Sequence, residues 1–392
     1  MLKRQILASA LILAVLFSLN FSAFAAEKST QVNTDVTAEI VNAPSAILIE
    51  QTSGQVLYEL DADKKMPIAS VTKTMTMLLI MEAIDSGKIK YTDMVTTSEY
   101  AASMGGSQVF LEVGEQMSVD DMLKAIAVAS GNDAAVAMAE HISGTEPAFV
   151  ENMNKRAKEL GAVNTHFINC NGLDETDEHY STARDIAIIS AELLRHKDIQ
   201  KYLTIWMDTL RDGKFGLSNT NKLIRFYDGA NGIKTGSTST AKYCLSASAK
   251  RDNMQLIAVV LGAPSTADRF SSASKLLDYG FANYALADNS SYKVKLPKIK
   301  VTGGTEYEVE AVIDGSLNAV VKKGNQDKIT VKVKTVDSIS APVKKGAKVG
   351  EAVFYVGDEE LTRRTVVAKT EVPEINCLQM FTRCLGKWIT LQ

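Results

Sequence analysis

Histidine and cysteine are both scarce in this chain, with four of each among 392 residues. So few imidazoles, and no Gly-x-Ser-x-Gly elbow, leave a histidine-based hydrolase poorly supported. Cys170, Cys244, Cys377 and Cys384 contain no C-x-x-C pair and follow no regular spacing, which argues against a zinc site and a disulfide framework. Buried, inert thiols are the expectation, and whether Cys170 pairs with Cys244 is left to the fold. A Gly-rich phosphate loop is absent. So is a surplus of either charge: 43 Lys and Arg stand against 46 Asp and Glu, a formal net charge of −3, and no field exists for holding nucleic acid. Internal repeats and low-complexity tracts are also missing.

What remains is an ordinary globular composition, 46% hydrophobic and 23% charged. The length suggests two or three domains, at roughly 100–200 residues each. Residues 1–26 read as an export signal. Lys3 and Arg4 form a short positive region, residues 6–24 an apolar run, and Ala23-Phe24-Ala25 supplies the small residues a signal peptidase prefers. The mature protein is therefore expected outside the cytoplasm. A polar linker over 27–43 leads into a first domain over 44–286.

Within that domain, residues 46–50 and 55–60 read as strands around a turn at Gly54. A long helix is expected from Pro67, apolar on nearly every side over 75–81 and stopping before Gly87. Helical patterns follow at 119–129, 132–142, 146–160 and 182–196. Strand patterns return at 241–249 and 254–261, and a helix runs from 266 to about 286. Strands at both ends with helices between them most simply form one antiparallel sheet with a helical block packed on it, an α+β arrangement. Residues 292–373 alternate with period two and read as a small all-β domain. Residues 374–392 return to helical spacing. Ile375, Leu378, Phe381, Leu385, Trp388 and Ile389 fall on one face there, with Arg383 and Lys387 nearby, which reads as an amphipathic membrane-anchor helix too broken to span a bilayer.

Three short motifs stand in order in the first domain: Ser70-Val-Thr-Lys73, Ser130-Gly-Asn132 and Lys234-Thr-Gly236. Each alone is weak. Ser-x-x-Lys recurs by chance at Ser239/Lys242, Ser272/Lys275 and Ser290/Lys293, and Ser-Gly-Asn also suits a plain helix-capping turn. Context separates them. Ser70 is expected in the first turn of an apolar helix, where Ser70 and Lys73, three apart, project from one face. The helix N-terminus adds partial positive charge beside the reacting centre. A buried ammonium beside a second cation loses its proton near neutral pH, so Lys73 would be the base that activates Ser70. Ser130, at a helix–helix junction, would relay a proton to the departing amine, and Asn132 would bond the substrate amide. Lys234 and Thr235, on a strand, would hold a terminal carboxylate. Gly236 would let an extended peptide approach the strand edge, and the N–H groups of Ser237 and Ser70 would form an oxyanion hole.

This trio resembles the signature of penicillin-binding proteins and class A β-lactamases. Residues 44–285 resemble more closely the low-molecular-weight penicillin-binding proteins of the D-alanyl-D-alanine carboxypeptidase type. Met104-Gly-Gly-Ser-Gln108, Ser130-Gly-Asn-Asp-Ala-Ala135, Asn171-Gly-Leu-Asp174, His179-Tyr-Ser-Thr182, Asn219-Thr-Asn-Lys222 and Ala247-Ser-Ala-Lys-Arg251 carry that likeness. Cys170 departs from it, standing where proline or another small residue is expected. The resemblance implies a β-lactamase/transpeptidase-like domain followed by the β domain and tail. It implies an exported enzyme on the extracytoplasmic face of the cell membrane, removing the terminal D-alanine from peptidoglycan stem peptides ending in D-Ala-D-Ala. The reaction would pass through a Ser70 acyl-enzyme without metal or organic cofactor, and β-lactam antibiotics would inhibit it. Two other readings are weaker. A class A-like β-lactamase would carry a Glu-x-x-Leu-Asn segment, absent between the second and third motifs. A catalytically idle penicillin-binding scaffold would not need every polar catalytic position intact.

Overall fold

The computed structural model describes residues 40–173, 176–287, 294–315 and 318–382. The expected export signal, the linker up to residue 39, Asp174, residues 288–291 of the domain boundary, Ser290/Lys293 and the tail beyond residue 382 lie outside the described residues.

Five strands form the central sheet: β1 (Ser45–Glu50), β2 (Val56–Leu60), β3 (Ala230–Thr238), β4 (Lys242–Arg251) and β5 (Met254–Ala263). They lie in the order β2-β1-β5-β4-β3 and every pairing is antiparallel, as expected. Alternation along the strands divides this sheet between two cores. Ile47, Ile49, Ile257, Val259 and Leu261 point into one, and Ala46, Leu48, Leu256, Ala258 and Val260 into the other. Both faces are therefore covered, and β1 is buried throughout. Among the described residues no further strand pairs with the β3 edge, and that edge carries Lys234-Thr-Gly236.

The first core is filled by α1 (Lys73–Asp85), α2 (Val119–Ala129), α3 (Asn132–Ser143), α4 (Glu146–Leu160) and α5 (Ala183–Leu193); α6 (Thr266–Asn283) covers the opposite face. Side-chain caps set several helix starts. Ser118, Thr182 and Ser265 accept from the N–H of Asp121, Asp185 and Asp268, each an acidic residue in the first turn. Each such cap contributes about 1 kcal/mol. Because α1 is apolar on nearly every side, it runs through the interior, and its first residue, Lys73, is fully buried.

Two boundaries differ from the expectation. The helix expected from residue 67 is a 3-10 turn over Ala69–Thr72, and α-helical geometry begins only at Lys73. Ala69 interrupts it with φ +48°, a left-handed conformation. The helix expected to run to about 286 ends at Asn283, because Tyr284–Ala287 extends and pairs with Ala319–Lys322.

Six further strands between Lys298 and Ala368 make a second sheet with its own core, including Ile299, Val309, Phe354 and Val366. Its period-two alternation is plain in Ile329–Thr335. Cys170 and Cys244 are separate buried thiols, and burial raises both, Cys244 to about 11. Of the tail, residues 377–382 are helical, with Leu378 and Phe381 exposed. Among the described residues no helix is long and apolar enough to cross a membrane.

Candidate active site

The Ser70 turn is held by its apolar neighbours. Ile68, Ala69 and Val71 are buried, and the Ser70 side chain is half-buried. The left-handed Ala69 costs about 1–2 kcal/mol and persists only where the surroundings enforce it. Two glycines do so. A Cβ on Gly172 would overlap the Ala69 carbonyl and stand 2.7 Å from Thr72 Oγ1. A Cβ on Gly236 would stand 2.7 Å from the Ile68 carbonyl and 3.0 Å from the Ser70 nitrogen. Glycine at 236 is thus needed for a reason beyond the expected one: its missing side chain admits the Ser70 turn. Gly172 also has φ +79°, so alanine there meets both strain and overlap. Gly172→Ala is expected to cost about 2–4 kcal/mol of stability and to depress acylation, checked by thermal melting and penicillin labelling. A variant with wild-type melting and labelling would contradict this packing.

Lys73 lies one turn on, and its Nζ makes three contacts. It stands 3.0 Å from Ser70 Oγ, 2.5 Å from Asn132 Oδ1 and 2.6 Å from the Asn171 carbonyl oxygen. The last two are acceptors only. A neutral amine has two N–H donors and one lone pair, so those two oxygens take the hydrogens and the lone pair faces the Ser70 hydroxyl. That is the geometry of a general base. Burial lowers Lys73 to about 7, against the opposing pull of Cys170 and Asp133.

The second motif lies where α2 meets α3. Ser130 is left-handed with φ +64° and closes α2, while Asn132 opens α3. Asn132 also donates from Nδ2 to the Gly105 carbonyl at 2.7 Å. Both ends of its amide are therefore engaged by protein, and Asn132 sets Lys73 in place. The neighbouring Asp133 carboxylate accepts from the N–H groups of Val109 and Leu111, fixing the segment that also supplies Gly105. Arg211 ties the same segment down through the carbonyls of Val109 and Phe110 and an ion pair with Glu115.

Lys234 and Thr235 are buried on β3, and Ser237 is exposed at its rim. Burial holds Lys234 well below the ordinary lysine range, and the cations of Lys73 and Arg269 push it further down. The two lysines thus share one electrostatic neighbourhood. Like-charge repulsion between them disfavours the doubly charged pair. Thr235 Oγ1 donates to Thr220 Oγ1 at 2.7 Å, and Arg269 donates to the Gly236 carbonyl at 3.1 Å.

Of the eight expected residues, Ser70, Lys73, Asn132 and Gly236 are brought into contact distance of one another's segments, and Lys234 shares their electrostatic neighbourhood; Thr235 and Ser237 flank Gly236 on β3, and Ser130 stands two residues before Asn132 at the α2–α3 junction. Sequence reasoning missed Arg269, Thr220, and Asn171 as an acceptor for Lys73. Asn171 and Thr220 fall within segments quoted for the family likeness, whereas Arg269 sits on α6 with no motif to mark it.

A family profile described as D-alanyl-D-alanine carboxypeptidase matches residues 31–265, and one described as penicillin-binding protein 5, C-terminal domain, matches residues 286–374. The chain is 45% identical over 390 residues to the D-alanyl-D-alanine carboxypeptidase DacF of Bacillus subtilis, covering 98% of this chain and 99% of that one. It is 34% identical over 369 residues to DacC of Escherichia coli, covering 92% and 90%. Among solved structures, penicillin-binding protein 5 from Haemophilus influenzae matches with a TM-score of 0.74 at 34% identity, covering 85% of this chain and 98% of that one. The ampicillin-bound penicillin-binding protein D2 of Listeria monocytogenes matches with a TM-score of 0.57 at 31% identity, covering 62% and 98%.

Proposed function

The chain belongs to the D-alanyl-D-alanine carboxypeptidase family, and from that premise we propose that it removes the terminal D-alanine of peptidoglycan stem peptides through an acyl-enzyme on Ser70. Its fold is the sheet-plus-helix transpeptidase arrangement followed by a C-terminal β domain. The observation that carries the reading is the buried Lys73, with two of its three positions taken by fixed acceptors and the third facing Ser70 Oγ.

The stem's last residues add as a strand along the free β3 edge. Lys234 and Thr235 receive the terminal carboxylate. An incoming carboxylate restores the ammonium form of Lys234, so binding and proton uptake are coupled. Lys73 takes the Ser70 proton as Oγ attacks the carbonyl between the two D-alanines, and the N–H groups of Ser70 and Ser237 stabilise the oxyanion. Ser130 passes that proton to the departing amine, the C–N bond breaks, and free D-alanine leaves. Water, deprotonated by Lys73, then hydrolyses the Ser70 ester and regenerates the hydroxyl. A β-lactam enters the same path by opening its ring on Ser70.

The direct test is to incubate the mature protein with a pentapeptide ending in D-Ala-D-Ala and to measure free D-alanine. Stoichiometric or greater release is expected, and none would refute the activity. Fluorescent penicillin separates the rivals: rapid label release means a β-lactamase, and no label means an idle scaffold.

The reading also covers the chain's surroundings. Residues 1–26 direct export, 44–286 carry the peptidase, 292–373 form the β domain, and 374–392 anchor the protein peripherally at the outer face of the membrane. The exposed Leu378 and Phe381 support the last point. Removing residues 375–392 is expected to move the enzyme to the soluble fraction with activity retained. Unchanged fractionation would end the anchor.

A further inference from the structure

The left-handed turn before Ser70 is held by a buried chain of polar groups outside the three motifs' chemistry. The Ala69 carbonyl accepts from the Thr72 hydroxyl at 2.8 Å, and Thr72 Oγ1 lies 2.7 Å from His179 Nε2. The Ile168 N–H donates to His179 Nδ1 at 3.3 Å. That bond occupies the Nδ1 lone pair, so the ring proton resides on Nε2. The order of donors follows: Nε2–H to Thr72 Oγ1, then the Thr72 hydroxyl to the Ala69 carbonyl. Thr72 is fully buried and His179 is 3% exposed, so solvent hardly competes for either. Gly172 presses on the same carbonyl from another side.

We propose that His179 and Thr72 are positioning residues for acyl transfer. Together they orient the Ala69 carbonyl and hold the peptide plane that leads into Ser70. This keeps the Ser70 N–H turned toward the reacting carbonyl and Oγ opposite Lys73. Thr72 acts through the Ala69 carbonyl, one peptide before Ser70, and His179 acts through Thr72. The proposal rests on the reading of Ser70 as nucleophile. Valine at 72 keeps the shape and loses the hydroxyl, whereas serine keeps the hydroxyl. Glutamine at 179 returns an N–H near the Nε2 position, whereas alanine does not.

Time-resolved acylation of the full chain by a fluorescent penicillin tests this, with melting followed on the same samples. Thr72→Val is expected to slow the acylation rate constant roughly 10–100-fold, the scale of loss from a misplacement of about 1 Å. Thr72→Ser is expected to recover most of the rate. His179→Ala should fall with Thr72→Val, and His179→Gln should exceed it. A purely structural role would lower melting and the labelled fraction while leaving the rate constant of the folded fraction unchanged, and that result overturns the proposal. So does Thr72→Ser as slow as Thr72→Val. Should Thr72→Val not fold, equal rates for His179→Ala and His179→Gln overturn it instead. Labelling of Ser70→Ala would refute the nucleophile reading itself, a separate outcome.

Discussion

Ser70→Ala is expected to abolish covalent labelling by penicillin and to lower D-alanine release by roughly 10⁴–10⁶-fold, the loss seen when a serine hydrolase is stripped of its nucleophile. Ser70 is the one hydroxyl among the hydrogen-bond partners of Lys73 Nζ. The other two contacts of Lys73 Nζ are carbonyl-type oxygens of Asn132 and Asn171, which cannot attack. Fold is not at stake, because Ser70 is half-buried and its side-chain hydrogen bond is the one shared with Lys73. Stability, followed by melting, should therefore change by no more than about 1 kcal/mol. Residual turnover near the wild-type rate would place the chemistry elsewhere.

Lys73 has the second large effect, and it carries a pH signature. Only the neutral amine has a lone pair for Ser70, and burial lowers Lys73 to about 7. The acid limb of kcat/KM is expected to inflect near that value, falling tenfold per unit below it. Lys73→Met should lower the rate by roughly 10²–10⁴-fold, the usual contribution of a general base, and remove that limb. An inflection at the same pH in Lys73→Met would assign it to another group.

The same shift has a stability consequence of definite sign. The folded value lies below that of the unfolded chain, so the unfolded state binds more protons between pH 7 and the ordinary lysine value of 10.5. Stability of the wild type relative to Lys73→Met must rise with pH across that window, by a few kcal/mol in total. At neutral pH the buried lysine is a burden that the fold carries for its chemistry. Melting of the two proteins at matched pH values measures it, and a constant difference would contradict the burial effect.

The pocket is preorganised by backbone as much as by side chains. Gly172 and Gly236 bring two segments against the Ser70 turn, and the Asn171 carbonyl supplies a Lys73 acceptor. Such contacts leave little trace in residue patterns. Gly236 was readable as part of Lys-Thr-Gly, yet its close approach to the Ile68 carbonyl emerges only from the packing.

Local chemistry by itself determined much of this protein. The periodicity of α2 to α5, the Ser/Thr caps followed by Asp, and the alternation of the β domain are properties of neighbouring residues, and so is the three-residue spacing of Ser70 and Lys73. Tertiary structure decided what depends on partners far along the chain. The helix start moved from 67 to 73 because distant groups enforce a left-handed Ala69. The pull toward pH 7 at Lys73 arises from burial, which no short stretch encodes. Arg269 reached β3 because α6 packs across the sheet, delivering its guanidinium to the Gly236 carbonyl. Spacing along a chain fixes what two neighbours can reach, whereas dielectric, strain and long-range donors exist only once the chain has closed on itself.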